Sequence, residues 1–165
     1  MDPRYYIEGL TKRGMAPHIA EGFVWNFQDE SNLNPGINEI APIVPGSRGG
    51  FGLSQWTGPR RRALESFAAQ SGRDVSDPEL QMDFLMTELS GDEAGAWGKI
   101  SGTKTAPEAA AAIVNYFLRP AEEHRASREA KYLGGKAPTY SGGPSYGGNA
   151  LATGQMRLGG FAQNG

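Results

Sequence analysis

The sequence predicts an α+β fold that is predominantly α-helical, with a small lobe of β-like and loop structure set into the helical body. Apolar residues recur at helical spacing in several segments of residues 17–118. Residues 32–56 instead hold five glycines and three prolines and show no helical period. A segment of this composition and length inside a compact domain usually carries function, so the lobe is where we expect a site.

Five helices are predicted in the body of the chain. In the first, over residues 17–29, Ile19, Phe23 and Phe27 are spaced by four and form one apolar stripe. Pro17 suits its first turn, where the N–H that proline lacks is not needed. The other helices are predicted over residues 59–70, from 77 to about 89, over 93–100, and from 105 onward.

Capping residues mark where two of these helices begin. Asp77 precedes a proline and a glutamate, a good N-terminal cap. Thr105 and Glu108 have the spacing of a capping box. The helix that they begin is predicted to be interrupted at Pro120, and a charged segment follows to about Tyr132.

Composition changes sharply near the end of that segment. Residues 134–165 contain ten glycines and only two charged residues. Such a segment cannot bury enough apolar surface to offset its ordering entropy. The sequence therefore predicts a folded domain over residues 1–133 and a glycine-rich tail or linker over 134–165 that only partners would order.

Composition also excludes several classes of site. The 165 residues carry a net charge of −2, with 16 basic and 18 acidic side chains, whereas a protein that grips nucleic-acid phosphates has a clear basic excess. There is no cysteine and there are only two histidines, so we expect neither a metal nor another cofactor. No window approaches the roughly 18 apolar residues of a membrane span. The first residues lack the apolar core of a signal peptide, so no signal peptide is expected.

Glu30 and Ser31 stand where the first helix ends and the lobe begins. A glutamate at a helix end is most often solvated surface, and a serine there most often bonds its own backbone. Their position beside the lobe nevertheless makes Glu30 and Ser31 candidates for a site there.

The far end of the lobe has residue types that suit a sugar. Three glycines within residues 49–52, of which Gly52 is the last, allow close approach of the backbone to another surface. Gln55 offers a donor and acceptors, and Trp56 offers a flat apolar face. Their structural alternatives are a turn-stabilising amide and a core tryptophan. Short β-like pieces are predicted near residues 40–44 and 51–53.

The order of these motifs resembles the phage tail lysozyme family of the lysozyme-like superfamily, and more distantly the soluble lytic transglycosylases and goose-type lysozymes. It comprises Glu-Ser at a helix end, Asn-Pro soon after, and Gly-Phe-Gly-Leu-Ser-Gln-Trp over residues 50–56. Arg60, four residues after the tryptophan, and an aromatic-x-Arg-Pro pattern at 117–120 also fit the phage family. The resemblance covers about residues 5–133. In one departure, Leu118 stands where phage relatives often place a glutamate.

This resemblance implies a lysozyme-like domain with the lobe over a cleft. It also implies cleavage of the β-1,4 bond between N-acetylmuramic acid and N-acetylglucosamine in peptidoglycan. Glu30 takes the position of the family's catalytic acid. Such an acid is needed because a glycosidic oxygen is a poor leaving group until it is protonated. The expected partners are peptidoglycan glycan strands, other phage virion proteins and, in a homo-oligomeric assembly, further copies of this chain. The residues expected to bind substrate are Ser31, Gly52, Gln55, Trp56 and Glu39.

The second catalytic group and the product remain open. On a helix, Asp29 and Glu30 point about 100° apart, whereas Glu39 in the lobe could reach over the cleft to hold a water. Attack by water would give a hydrolase, and attack by the muramic 6-hydroxyl would give a lytic transglycosylase with 1,6-anhydro products. A third alternative is a catalytically silent structural protein of the tail or ejection apparatus. The expected location is the virion, with action in the host periplasm or cell wall.

Overall fold

The computed structural model describes residues 1–138, in which it contains seven α-helices and one π-helix but no β-strand. The molecule is therefore predominantly α-helical, as predicted. The α-helices are α1 (Pro3–Lys12), α2 (Pro17–Ser31), α3 (Gly58–Ser71), α4 (Pro78–Ser90), α5 (Ala94–Ile100), α6 (Ala106–Ala112) and α7 (Glu122–Leu133), and the π-helix is Ile113–Leu118.

The five predicted helices are all present, and their predicted caps form. The Asp77 carboxylate accepts a hydrogen bond from the Glu79 N–H at 2.9 Å. The Thr105 hydroxyl accepts one from the Glu108 N–H at 3.3 Å, while the Glu108 carboxylate accepts from the Lys104 N–H at 2.8 Å. These contacts satisfy N–H groups that have no partner within the helix.

Helix α1, which precedes the five predicted helices, was not predicted, although its signals are present in the sequence. Asp2 caps it by accepting a hydrogen bond from the Arg4 N–H at 2.9 Å. Tyr6, Ile7 and Leu10 then form an apolar stripe at helical spacing and are fully buried. Helix α1 packs against α2 and α4, so it completes the core rather than lying on the surface.

The helix predicted from residue 105 changes its geometry before Pro120. Its last six residues form the π-helix, which ends where Arg119 adopts a left-handed backbone conformation with φ of 52°. Pro120 then separates the π-helix from α7, as predicted. π-helical turns are frequent at functional sites, and this one ends beside the cleft described below.

Helix α2 is the centre of the core. It packs against α1, α6 and the π-helix, and α7 packs on α6. At Gly22 the backbones of α2 and α6 approach so closely that a Cβ atom would lie 2.8 Å from the Ala109 Cβ. Because α2 is buried over most of its length, its last turn delivers Glu30 from the core to the protein surface.

The lobe, residues 32–56, contains no strand, so the short β-like pieces predicted near residues 40–44 and 51–53 are not present as strands. Phe51 makes two isolated antiparallel bridges, to Asn38 and to Trp56. The piece predicted near residues 40–44 is an exposed loop in which Ile40 and Ile43 are 99% and 93% accessible. Two prolines in and beside that piece remove backbone donors, which weakens strand pairing.

Two further predictions concern membrane segments and the tail. Each helix among residues 1–138 is too short or too polar to span a bilayer. Residues 139–165, which make up most of the predicted glycine-rich tail, lie outside the described residues.

Candidate active site

A cleft of about 500 Å³ lies where the end of α2, the lobe and the end of the π-helix meet. Its walls bring together Glu30, Glu39 and Gln55, three of the residues singled out from the sequence. The cleft therefore presents two carboxylates and an amide to one space. The other lining residues are Ser54, Thr57, Leu118, Arg119 and Pro120.

Glu30 is held by an arginine of helix α7, far from it in the sequence. The Arg128 Nη1 donates to the Glu30 Oε1 at 2.5 Å, and Nη2 donates to the Asn26 Oδ1 at 2.7 Å. Only 18% of the Glu30 side chain and 15% of the Arg128 side chain are exposed. Burial acts to lower the pKa of Arg128, but the neighbouring Tyr132 and Glu30 outweigh burial and raise that pKa above its ordinary value.

Asp29 faces α7 and not the cleft. Its carboxylate accepts from the Lys131 Nζ at 2.6 Å and from the Tyr132 hydroxyl. Burial, followed by the negative charge of Asp29, raises the pKa of Tyr132 well above its ordinary value, so this hydroxyl stays a donor. The divergence of neighbouring side chains on a helix thus leaves Glu30 as the carboxylate that α2 presents to the cleft.

Glu39 is fixed to the glycine-rich segment by its backbone and its side chain. Its N–H donates to the Gly50 carbonyl at 2.8 Å, and its Oε2 accepts from the Gly50 N–H at 2.9 Å. At Gly49, with φ of 77°, a Cβ atom would lie 2.9 Å from the Glu39 Cβ. The glycines therefore let Glu39 lie flat against the segment and reach the cleft wall.

Gln55 combines the two roles considered for it. Its backbone is left-handed, with φ of 49°, and its Nε2 donates to the Gly52 carbonyl at 2.9 Å, which stabilises the turn. It also lines the cleft. The amide is thus locked in one orientation beside any bound substrate.

Ser31 and Gly52 lie behind the cleft wall rather than in it. The Ser31 hydroxyl is buried, 2.8 Å from the Phe27 carbonyl and 3.1 Å from the Leu53 carbonyl. A Cβ atom on Gly52, where φ is 75°, would lie 2.6 Å from the Gln81 Oε1. Both residues therefore serve the placement of the loop, Ser31 by tying it to α2 and Gly52 by admitting Gln81.

Trp56 is also a core residue and belongs to a charged network below the cleft. Its Nε1 donates to the Glu88 Oε2 at 2.7 Å, and the Arg60 Nε donates to the Glu88 Oε1 at 2.7 Å. Arg60 also donates to the Phe117 carbonyl at 3.0 Å and lies over the Phe117 ring. This network joins the lobe, α3, α4 and the π-helix.

Two residues that organise the site were not predicted from the sequence. Gln81 is fully buried; its Oε1 accepts from the Leu53 N–H at 2.9 Å and its Nε2 donates to the Pro35 carbonyl at 2.7 Å. Arg128 lies in a charged segment that reads as solvated surface. No local pattern marks either side chain.

No group of three or more candidate metal ligands comes together among residues 1–138.

The chain's similarity to known proteins agrees with the kind of site described above. The family described as phage tail lysozyme matches residues 4–132. The chain is also similar to Morphogenesis protein 1 of Bacillus phage B103, with 29% identity over 154 residues that cover 84% of this chain and 41% of that protein. The chain thus spans less than half the length of this relative.

Proposed function

Because the chain belongs to the phage tail lysozyme family, we propose that it is a virion-associated muramidase. Its substrate is the β-1,4 bond between N-acetylmuramic acid and N-acetylglucosamine, and its action opens the bacterial wall locally during delivery of the phage genome. The observation that carries this proposal is that Glu30 and Glu39 line one cleft. Glycoside cleavage needs an acid on the leaving oxygen and a group that manages the nucleophile, and the cleft is within the size range of small-molecule sites.

In this mechanism Glu30 is the general acid. Its proton passes to the glycosidic oxygen while the bond from that oxygen to C1 breaks, and the bonding electrons stay with the oxygen. The sugar is left with a positive charge shared between C1 and the ring oxygen. Glu39, pinned to the Gly50 N–H, is placed to hold the water that adds to C1 and to take the proton that this water loses.

Two alternatives compete with this mechanism. If the muramic 6-hydroxyl adds to C1 in place of water, the same acid gives a 1,6-anhydro product and a lytic transglycosylase. A catalytically silent structural protein of the phage tail is favoured by the ion pair that occupies Glu30. The name of the phage relative also concerns morphogenesis and not hydrolysis.

The test is mass spectrometry of the soluble muropeptides released from purified sacculi by the wild type and by Glu30→Gln. This variant removes the acidic proton but keeps an oxygen that can accept from Arg128. The control is Glu122→Gln, at an exposed carboxylate on α7. We expect reducing-end fragments from the wild type and the control but none from Glu30→Gln.

Each of the other results of this experiment supports a different conclusion. Fragments lighter by one water establish the transglycosylase. Sacculus binding without release by the wild type favours the silent structural protein. Equal release by the wild type and Glu30→Gln refutes Glu30 as the acid.

A further inference from the structure

We propose that Arg128 is a positioning residue for the general acid. It fixes one oxygen of the Glu30 carboxyl group and turns the other to the cleft, and it stabilises the charge that Glu30 acquires when its proton leaves. This inference rests on the function proposed above and assigns a role to α7, which contributes no residue to the cleft lining given above.

The guanidinium group is held rigidly enough to position another side chain. One arm contacts Glu30 and the other contacts Asn26 on the preceding turn of α2. Asn26 is itself fully buried, and its Nδ2 donates to the Gly22 carbonyl at 2.9 Å and to the Ala110 carbonyl at 3.1 Å. The planar fork of Arg128 is therefore anchored to the α2–α6 interface with a fixed two-armed geometry that the flexible point charge of a lysine lacks.

The contact distinguishes the two oxygens of Glu30. Oε1 accepts from Arg128, whereas Oε2 accepts no hydrogen bond among residues 1–138. Since the side chain lines the cleft, Oε2 is the oxygen that can carry the transferable proton. Holding Oε1 thus removes the rotational freedom that would otherwise let either oxygen face the substrate.

The same contact acts on the transition state. As the proton moves from Oε2 to the glycosidic oxygen, negative charge develops on the Glu30 carboxyl group. Arg128 stays charged at any working pH and is 2.5 Å from Oε1. Because both side chains are largely buried, their attraction is weakly screened, and once Glu30 carries its proton the fixed charge of Arg128 stabilises the carboxylate that develops as this proton leaves.

Arg119, which also lines the cleft, does not supply this charge to Glu30. Its Nη1 and Nη2 each donate to Glu93 at 2.9 Å. Arg125 lies on α7 three residues before Arg128 and has no side-chain ion pair or hydrogen bond in the part of the chain that the structure describes. It is therefore a matched control on the same helix.

The experiment compares the steady-state cleavage of soluble glycan fragments of peptidoglycan by wild type, Arg128→Ala, Arg128→Lys and the control Arg125→Ala. We expect Arg128→Ala to lower kcat by about 100-fold with KM unchanged, which is the size of effect seen when one preorganised electrostatic partner is removed. Arg128→Lys should lie between Arg128→Ala and the wild type. Added guanidinium ion should restore part of the kcat of Arg128→Ala and leave Arg125→Ala unaffected.

A merely structural role predicts a different set of results. It would raise KM or lower the amount of folded protein, and guanidinium would not restore turnover. Should Arg128→Ala fail to fold, Arg128→Lys still decides, because a kcat equal to that of the wild type would overturn the proposal. An inactive wild type would instead refute the proposed function. If the wild type and the Arg128 variants are all fully active, the proposed function stands and only the positioning role of Arg128 is refuted.

Discussion

Glu21 on α2 makes the stability of the domain depend on pH. Its side chain is 1% exposed, and neither carboxyl oxygen has a hydrogen-bond partner among residues 1–138. Burial raises the pKa of Glu21 from 4.5 to about 8, because an ionised carboxylate without partners is poorly solvated there. The folded protein therefore keeps a proton on Glu21 at neutral pH, whereas the unfolded chain has lost it.

The sign and size of the effect follow from proton linkage. Between pH 4.5 and about 8 folding takes up one proton, so the free energy of unfolding falls by about 1.4 kcal/mol per pH unit. The contribution is fully present below pH 4.5 and is lost as the pH rises through about 8. Over the whole interval the loss is about 5 kcal/mol, a large part of the stability of a typical domain.

Urea unfolding between pH 5 and 9, followed by tryptophan fluorescence, tests this with the wild type and Glu21→Gln. The glutamine has the same shape but does not ionise, so the stability difference in its favour should grow by about 1.4 kcal/mol per pH unit up to about pH 8. Glu122→Gln, at an exposed carboxylate, should follow the wild type. Parallel curves for the wild type and Glu21→Gln would refute the reasoning.

Three further predictions concern the cleft and the contacts that support it. Glu88→Ala should lower the free energy of unfolding by about 3 kcal/mol in urea titrations, because it leaves a guanidinium and an indole N–H without their acceptor; a loss below about 1 kcal/mol would contradict this. Gly52→Ala should lower it by about 2 kcal/mol more than Gly72→Ala, since both glycines have positive φ but only Gly52 has a neighbour, Gln81, where the new Cβ would lie. Glu39→Gln should reduce muropeptide release by about 100-fold without changing the urea midpoint, because glutamine can still accept from the Gly50 N–H but cannot take a proton from water; unchanged release would remove Glu39 from the mechanism.

The helices could largely be predicted from the sequence. The stripe of Ile19, Phe23 and Phe27 and the caps at Asp77 and Thr105 depend on residues no more than four apart, which is the range over which a helix forms its bonds. The glycine-rich lobe, and Glu30 at its edge, followed from the same local patterns. The β character of the lobe did not, because strand pairing depends on partners that a local pattern does not supply.

The inner construction of the site was decided by the tertiary structure. Gln81 contacts a loop 28 residues before it, and Arg128 contacts Glu30 across 98 residues. Neither side chain has a signal of its own, because a polar residue that becomes buried and one that stays solvated look alike in the sequence until the helices that carry them are packed.

The sequence by itself thus determined which segments are helical, where the chain leaves its helical core, and which carboxylate stands at that point. Packing alone decided that Glu30 shares a cleft with Glu39, that Trp56 is core, and that an arginine from α7 holds the candidate acid. The physical reason is range: capping and helical periodicity act between near neighbours in the chain, whereas burial, charge pairing and the shape of a cleft exist only once distant segments meet.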